Sequence, residues 1–189
     1  MRAVIFDLET TGLTLPELAP LEKQPRIIEI GALVVNGEEP VAELSQLVNP
    51  GVEIERKITQ ITGITNAQLK KAPPLSEAIQ QLHDLFVLGS DAVICHNAPF
   101  DTSVLRYELR RLEMEKTFPW PKRAICTVQE YLPQFGRRPR LIELYERVMG
   151  KPLNQTHRAL DDVKALHEVL TKDGFYQVFA RGDSPVHAV

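Results

Sequence analysis

The chain has 189 residues, 43% of them apolar, which suits one globular domain with a sizeable core. A formal charge of −3 and a pI near 6.0 exclude a generally basic nucleic-acid coat, although a small site acting on strand ends does not need one. No run approaches the roughly eighteen apolar residues of a membrane-spanning helix, and the N-terminus enters a strand directly instead of a signal-peptide hydrophobic region, so a soluble, cytoplasmic protein without membrane contact is expected.

In chain order, AVIFDLE (3–9), RIIEIGALVVNG (26–37) and PVAELSQLVNPG (40–51) read as three strands of an antiparallel meander, punctuated by Asn36-Gly37 and Asn49-Pro50-Gly51. TLPELAPLEKQPR (14–26) carries Pro16, Pro20 and Pro25 and reads as a surface loop beside the end of the first strand. LSEAIQQLHDLFVLG has Leu75, Ile79, Leu82 and Phe86 at helical spacing; DAVICHN then reads as a fourth strand and DTSVLRYELRRLEM as a helix. RAICT is a fifth strand, followed by the helical patterns RLIELYERVMG, ending at Gly150, and HRALDDVKALHEVLTK. The alternation gives an α/β class, a mixed five-stranded sheet flanked by helices. Cys95 and Cys126 lie in apolar runs without a Cys-x-x-Cys partner and read as reduced core thiols.

Three places put acids where the patterns predict a core or a strand end. Alternate residues of a strand share a face, so Asp7 and Glu9 project together while Leu8 points away. Like charges in one small volume raise each other's pKa unless a cation sits between them, and hard cations that prefer oxygen, Mg²⁺ or Mn²⁺, are the natural filler. A strand ending at Phe6, with both acids solvated, is the alternative. An EF-hand reading of DLETTG fails because its twelfth position is Leu18 where a Glu is required. Asp101, in ICHNAPFD, falls just past a strand end in the first turn of a helix, where it serves either as a cap or as part of a site at the carboxyl edge of the sheet. In HRALDDV, helical phase separates two neighbours: Ala159, Val163, Leu166 and Leu170 share one arc with Asp162 near its edge, whereas Asp161 lies with Lys164 and Glu168 on the solvated side. His157 faces away from that arc and belongs on the loop before the helix, where it reads as a mobile base. His83, His167 and His187 read as exposed surface residues. GRRPR (136–140) is either a solvated charged face or a contact for a nucleic-acid backbone.

FDLETTGL, IIEIGA, ITGIT, HNAPFD and HRALDD-V, in this order, resemble the DEDDh (DnaQ-like) branch of the DEDD 3′-to-5′ exonucleases, typified by the proofreading ε subunit of bacterial DNA polymerase III. The resemblance covers residues 4 to about 171 and implies an exonuclease domain over 1–172 with a short tail over 173–189, in an RNase H-like fold. It implies that Asp7, Glu9, Asp101 and Asp162 hold two divalent ions, Mg²⁺ or Mn²⁺, with His157 as general base. It implies that Thr10, Thr11, Gly12, Leu13, Ile61, Thr62 and Phe100 surround the terminal nucleotide of a single-stranded 3′ end. Lys57 and Thr62 stand where the ε pattern has a Glu and a His, so substrate contacts differ there. A DNA polymerase is an implied partner, although the tail shows no clamp-binding segment, which favours a free-standing nuclease. RNA 3′-end trimming is the alternative activity. A catalytically silent nucleic-acid-binding module, which expects a missing ligand, is the alternative of another class.

Overall fold

The computed structural model describes residues 1–89 and 91–180. Five strands, β1 (Arg2–Thr10), β2 (Ile27–Asn36), β3 (Glu39–Leu47), β4 (Ala92–Cys95) and β5 (Ala124–Cys126), form one mixed sheet in the order β3-β2-β1-β4-β5. The first three are antiparallel neighbours, and β4 and β5 continue the sheet in parallel from β1. The helices are α1 (Arg56–Thr62), α2 (Asn66–Leu69), α3 (Leu75–Leu88), α4 (Ala98–Arg111), α5 (Thr127–Glu130), α6 (Leu132–Phe135), α7 (Leu141–Met149), α8 (Ala159–Lys172) and α9 (Phe175–Ala180). Among the described residues, no helix is long and apolar enough to cross a membrane.

Strand alternation divides the core. Val4, Phe6 and Leu8 of β1 join Ile30, Ala32 and Val34 of β2 in a cluster with α3 and α4. Ala3 and Ile5, with Leu33 and Val35, pack on the other face against Val163, Leu166 and Leu170 of α8 and Leu144 of α7. The helical phase expected for residues 159–170 therefore holds. Gly150 ends α7 in a left-handed conformation (φ 69°), which glycine adopts without a Cβ penalty. Cys95 and Cys126 are buried free thiols.

The surface loop expected over 14–26 is present, and other features refine or differ from the sequence reading. Residues 14–26 are a pinned loop with a 3-10 turn at Leu21–Lys23; Arg111 donates to the carbonyls of Leu21, Gln24 and Pro25. His167 is half-buried, with its Nδ1 2.8 Å from the hydroxyl of buried Tyr176 on α9, and burial pushes its pKa down. His83 is also partly buried, edge-on to Phe118. The apolar side of α8 thus extends, through His167, to contacts that the 173–189 stretch supplies. His187 lies outside the described residues.

Candidate active site

β1 runs unbroken through Thr10, so the pattern that buries Ala3 and Ile5 carries Asp7 and Glu9 onto the α8 side of the sheet. Both acids are half-buried there. The first turn of α8 crosses this spot and contributes Asp162, only 9% exposed, while Asp161 points to solvent. One carboxylate oxygen each from Asp7, Glu9 and Asp162 lie within 4.8 Å of one another, close enough to share a cation. Asp101, 2% exposed in the first turn of α4, stands beside this group: its Oδ1 accepts a 3.2 Å bond from the backbone N–H of Leu8, the residue between the two β1 acids.

The electrostatics are those of a site built for positive charge. Burial, with Asp162 and Glu29 nearby, pushes the Asp7 carboxyl from 3.8 up to about 7. Burial and the same acidic neighbours, Asp7 among them, push Glu9 up to about 9. Asp101 is raised well above the usual range by burial and by Asp7, and Asp162 is raised by burial against the opposing bond from Gln155. Four crowded carboxylates that resist ionisation fit hard divalent cations, which would replace the retained protons.

Sequence reasoning missed the clamp that sets the start of α8. Glu29, 1% exposed on β2, pairs across the ladder with Glu9 and accepts both a two-oxygen contact from Arg158 and a 3.0 Å bond from the Ala159 N–H. Its one readable signal was a charge inside a run of nine buried strand positions. Gly31 shares that face and faces Asp7 across the ladder; a Cβ there would meet the Ala159 backbone at 2.2 Å. The clamp leaves His157 exposed on the preceding loop, in a left-handed conformation (φ 50°) rare for a non-glycine residue. Gln155 donates a 3.0 Å bond to Asp162, and the Thr156 hydroxyl donates a 2.7 Å bond to the Asp161 carboxylate.

Two clefts border the acids, one at Glu9 and the other at Asp7 and Asp162. One, about 430 Å³, is lined by Glu9 and by all seven residues expected around a terminal nucleotide: Thr10, Thr11, Gly12, Leu13, Ile61, Thr62 and Phe100. Leu13 is 82% and Ile61 46% exposed, open apolar surface in a cleft. Thr10 and Thr11 are fixed by bonds to Gly12 O (2.7 Å) and from the Arg26 N–H (3.0 Å). The Thr62 hydroxyl is already engaged with Ile58 O and the Ile64 N–H, so its wall contribution is steric. The second cleft, about 420 Å³, is lined by Asp7, Asp162, His157, Gln155, His96, Asn97, Arg138 and Arg140.

A family model described as Exonuclease matches residues 4–170. The chain is 33% identical over 167 residues to the DNA polymerase III PolC-type of Clostridium perfringens, covering 88% of this chain and 11% of that protein. The chain therefore spans about a tenth of the length of this relative. Its fold is shared with the nuclease domain of 3′hExo, a DEDDh family member, bound to rAMP (TM-score 0.72, 20% identity, 98% of this chain and 96% of that one). Exonuclease X in complex with 5′ overhanging duplex DNA shares it as well (TM-score 0.63, 24% identity, 91% and 93%).

Proposed function

This chain belongs to the exonuclease family, in its DnaQ-like 3′-to-5′ branch, and on that premise we propose that it shortens single-stranded DNA with two Mg²⁺ or Mn²⁺ ions and His157 as general base. The observation that carries this reading is the convergence of Asp7, Glu9 and Asp162 within 4.8 Å, with Asp101 bonded to the strand between them. Asp7, Glu9 and Asp162 would hold one ion, and Asp7 with Asp101 the other. When bound, the ions acidify the attacking water and offset the negative charge that develops on the phosphate. His157, on its exposed loop beside Asp162, takes the proton from that water. Thr10 and the turn to Gly12 orient the terminal sugar, and Leu13, Ile61 and Phe100 pack around its base. The relative named as a DNA polymerase supports DNA as substrate and a polymerase as partner; the neighbour bound to rAMP supports RNA trimming as the second reading. Matched DNA and RNA strands labelled at the 5′ end, incubated with Mg²⁺, Mn²⁺ or a chelator, test it. A metal-dependent ladder shortening from the 3′ end, faster on DNA, is expected. Internal cuts, metal-independent cleavage or no cleavage would overturn it.

A further inference from the structure

Resting on that reading of the site, we infer that the loop 136–140 is the track for the strand behind the scissile bond, with Arg138 gripping a phosphate of the polynucleotide. The two clefts differ in chemistry. The Leu13, Ile61 and Phe100 cleft offers apolar walls and main chain, which suit a base and sugar. The other, beyond Asp7 and Asp162, places Arg138 and Arg140 at its edge, which suits successive phosphates. With the terminal nucleoside in the first and the scissile phosphate at the acids, the remaining strand leaves through the second.

The charges on this loop are not equally committed. Arg137 binds both oxygens of Glu143, at 2.6 and 3.0 Å. Arg140 shares that carboxylate at 3.3 Å and gives it a backbone bond of 2.8 Å at the start of α7. One acid therefore serves two arginines. Arg138 instead donates a 2.9 Å bond to the neutral side-chain oxygen of Asn97, and among the described residues it forms no ion pair, so its guanidinium is held at the cleft uncommitted to a carboxylate.

The loop is rigid enough to aim that charge. His96, just past the end of β4, braces it: its Nδ1 meets the Thr127 hydroxyl at 3.0 Å and its Nε2 meets the carbonyl of buried Pro139 at 3.1 Å. A carbonyl can only accept, so Nε2 carries the hydrogen and Nδ1 accepts from Thr127 in the neutral ring. Arg138 is presented from a fixed position, which lowers the ordering cost of a phosphate contact.

Arg138→Ala and wild type should be compared on two substrates with Mg²⁺: a labelled oligothymidylate, and the p-nitrophenyl ester of thymidine 5′-phosphate, which has one nucleoside and no upstream phosphate. The ratio of kcat/KM for the oligonucleotide to that for the ester is expected to fall about tenfold. With Ca²⁺ in place of Mg²⁺, anisotropy of the labelled strand should show weaker binding by the variant and a log–log salt slope smaller by about 0.7. An unchanged ratio and slope would overturn the inference. So would equal losses on both substrates, which would make Arg138 a brace for Asn97. Circular dichroism checks folding, and Arg138→Gln repeats the comparison with a neutral side chain that keeps amide donors but not the charge. Wild type that binds the strand with the expected slope but hydrolyses neither substrate would sink the nuclease reading and leave the phosphate contact standing.

Discussion

Asp7→Asn should stabilise the metal-free protein at neutral and alkaline pH while abolishing hydrolysis. The folded protein holds the Asp7 proton up to about pH 7, whereas an ordinary aspartate releases it near 3.8. Between these limits the native state binds more protons than the unfolded chain, so stability falls as pH rises, by ~1.4 kcal/mol per pH unit. Below both values the effect vanishes, and above about 7 it is complete, reaching a ceiling of about 4 kcal/mol. Asn removes that loss but must bury an amide in the same half-open pocket, which costs about 1–3 kcal/mol. The net gain is about 2 kcal/mol, or roughly 4–8 °C in Tm for a chain of this size.

Thermal melts in chelator at about pH 5 and about pH 8 provide the assay, with the wild-type and variant curves separating only at the higher value. Adding Mn²⁺ should reverse the order: wild type gains by ligand linkage, and the variant, short of a ligand, gains less. An Asn variant no more stable than wild type at alkaline pH without metal would refute the crowding argument. Equal stabilisation of both proteins by Mn²⁺ would refute Asp7 as a ligand.

Mn²⁺ binding near neutral pH should release protons, because Asp7 and Glu9 still hold them; calorimetry in buffers of different ionisation heat measures the number, and zero would mean that the ion sits elsewhere. Asp162→Asn should lower turnover by orders of magnitude while Asp161→Asn stays within about twofold, and steady-state rates reversing that order would contradict the rotation of α8. His157→Ala should lower the rate about 10²–10⁴-fold with strand binding retained; steady-state rates and anisotropy of a labelled strand check this, and a parallel loss of binding would make His157 a substrate contact instead of the base. Glu29→Gln should cost roughly tenfold or more in turnover with KM little changed; a wild-type rate would show that the clamp on α8 does not position Asp162 or His157.

What the sequence made legible follows from length scales. The strands of the meander, α3, α4, α7 and α8 span 9 to 14 residues, enough for a period to show, and the period of α8 separated Asp162 from Asp161. α1, α2, α5 and α6 span 4 to 7 residues, too short for a face to emerge, and are held by local caps such as the Thr65–Gln68 capping box or left-handed Gly63. The acids were readable because motif spacing carries them. Their supports were not, since Glu29 meets Arg158 across 129 positions, Arg138 meets Asn97 across 41, and no local pattern encodes such pairs. His167 was misread for a similar reason: its partner Tyr176 belongs to α9, in the stretch read as a tail.

The question of how two acids come to sit on a core face resolves at β2. Where Ala3 and Ile5 meet apolar residues of α8, Asp7 and Glu9 meet the start of that helix, so the face changes from core to cleft along a single strand. The change requires α8 to come down onto the sheet beside Asp7. Gly31, opposite Asp7, leaves the room for the Ala159 backbone, and Glu29, opposite Glu9, captures the free N–H of Ala159 and the Arg158 side chain. Glu29, the acid that holds the helix end, is also one of those that raise Asp7, Glu9 and Asp162, with Arg158 opposing it at Glu9, so the side chain that fixes the helix start also contributes to the field at the ligands. Positioning and electrostatics therefore meet in one side chain, and a substitution at Glu29 acts on both the geometry of the ligands and their demand for metal.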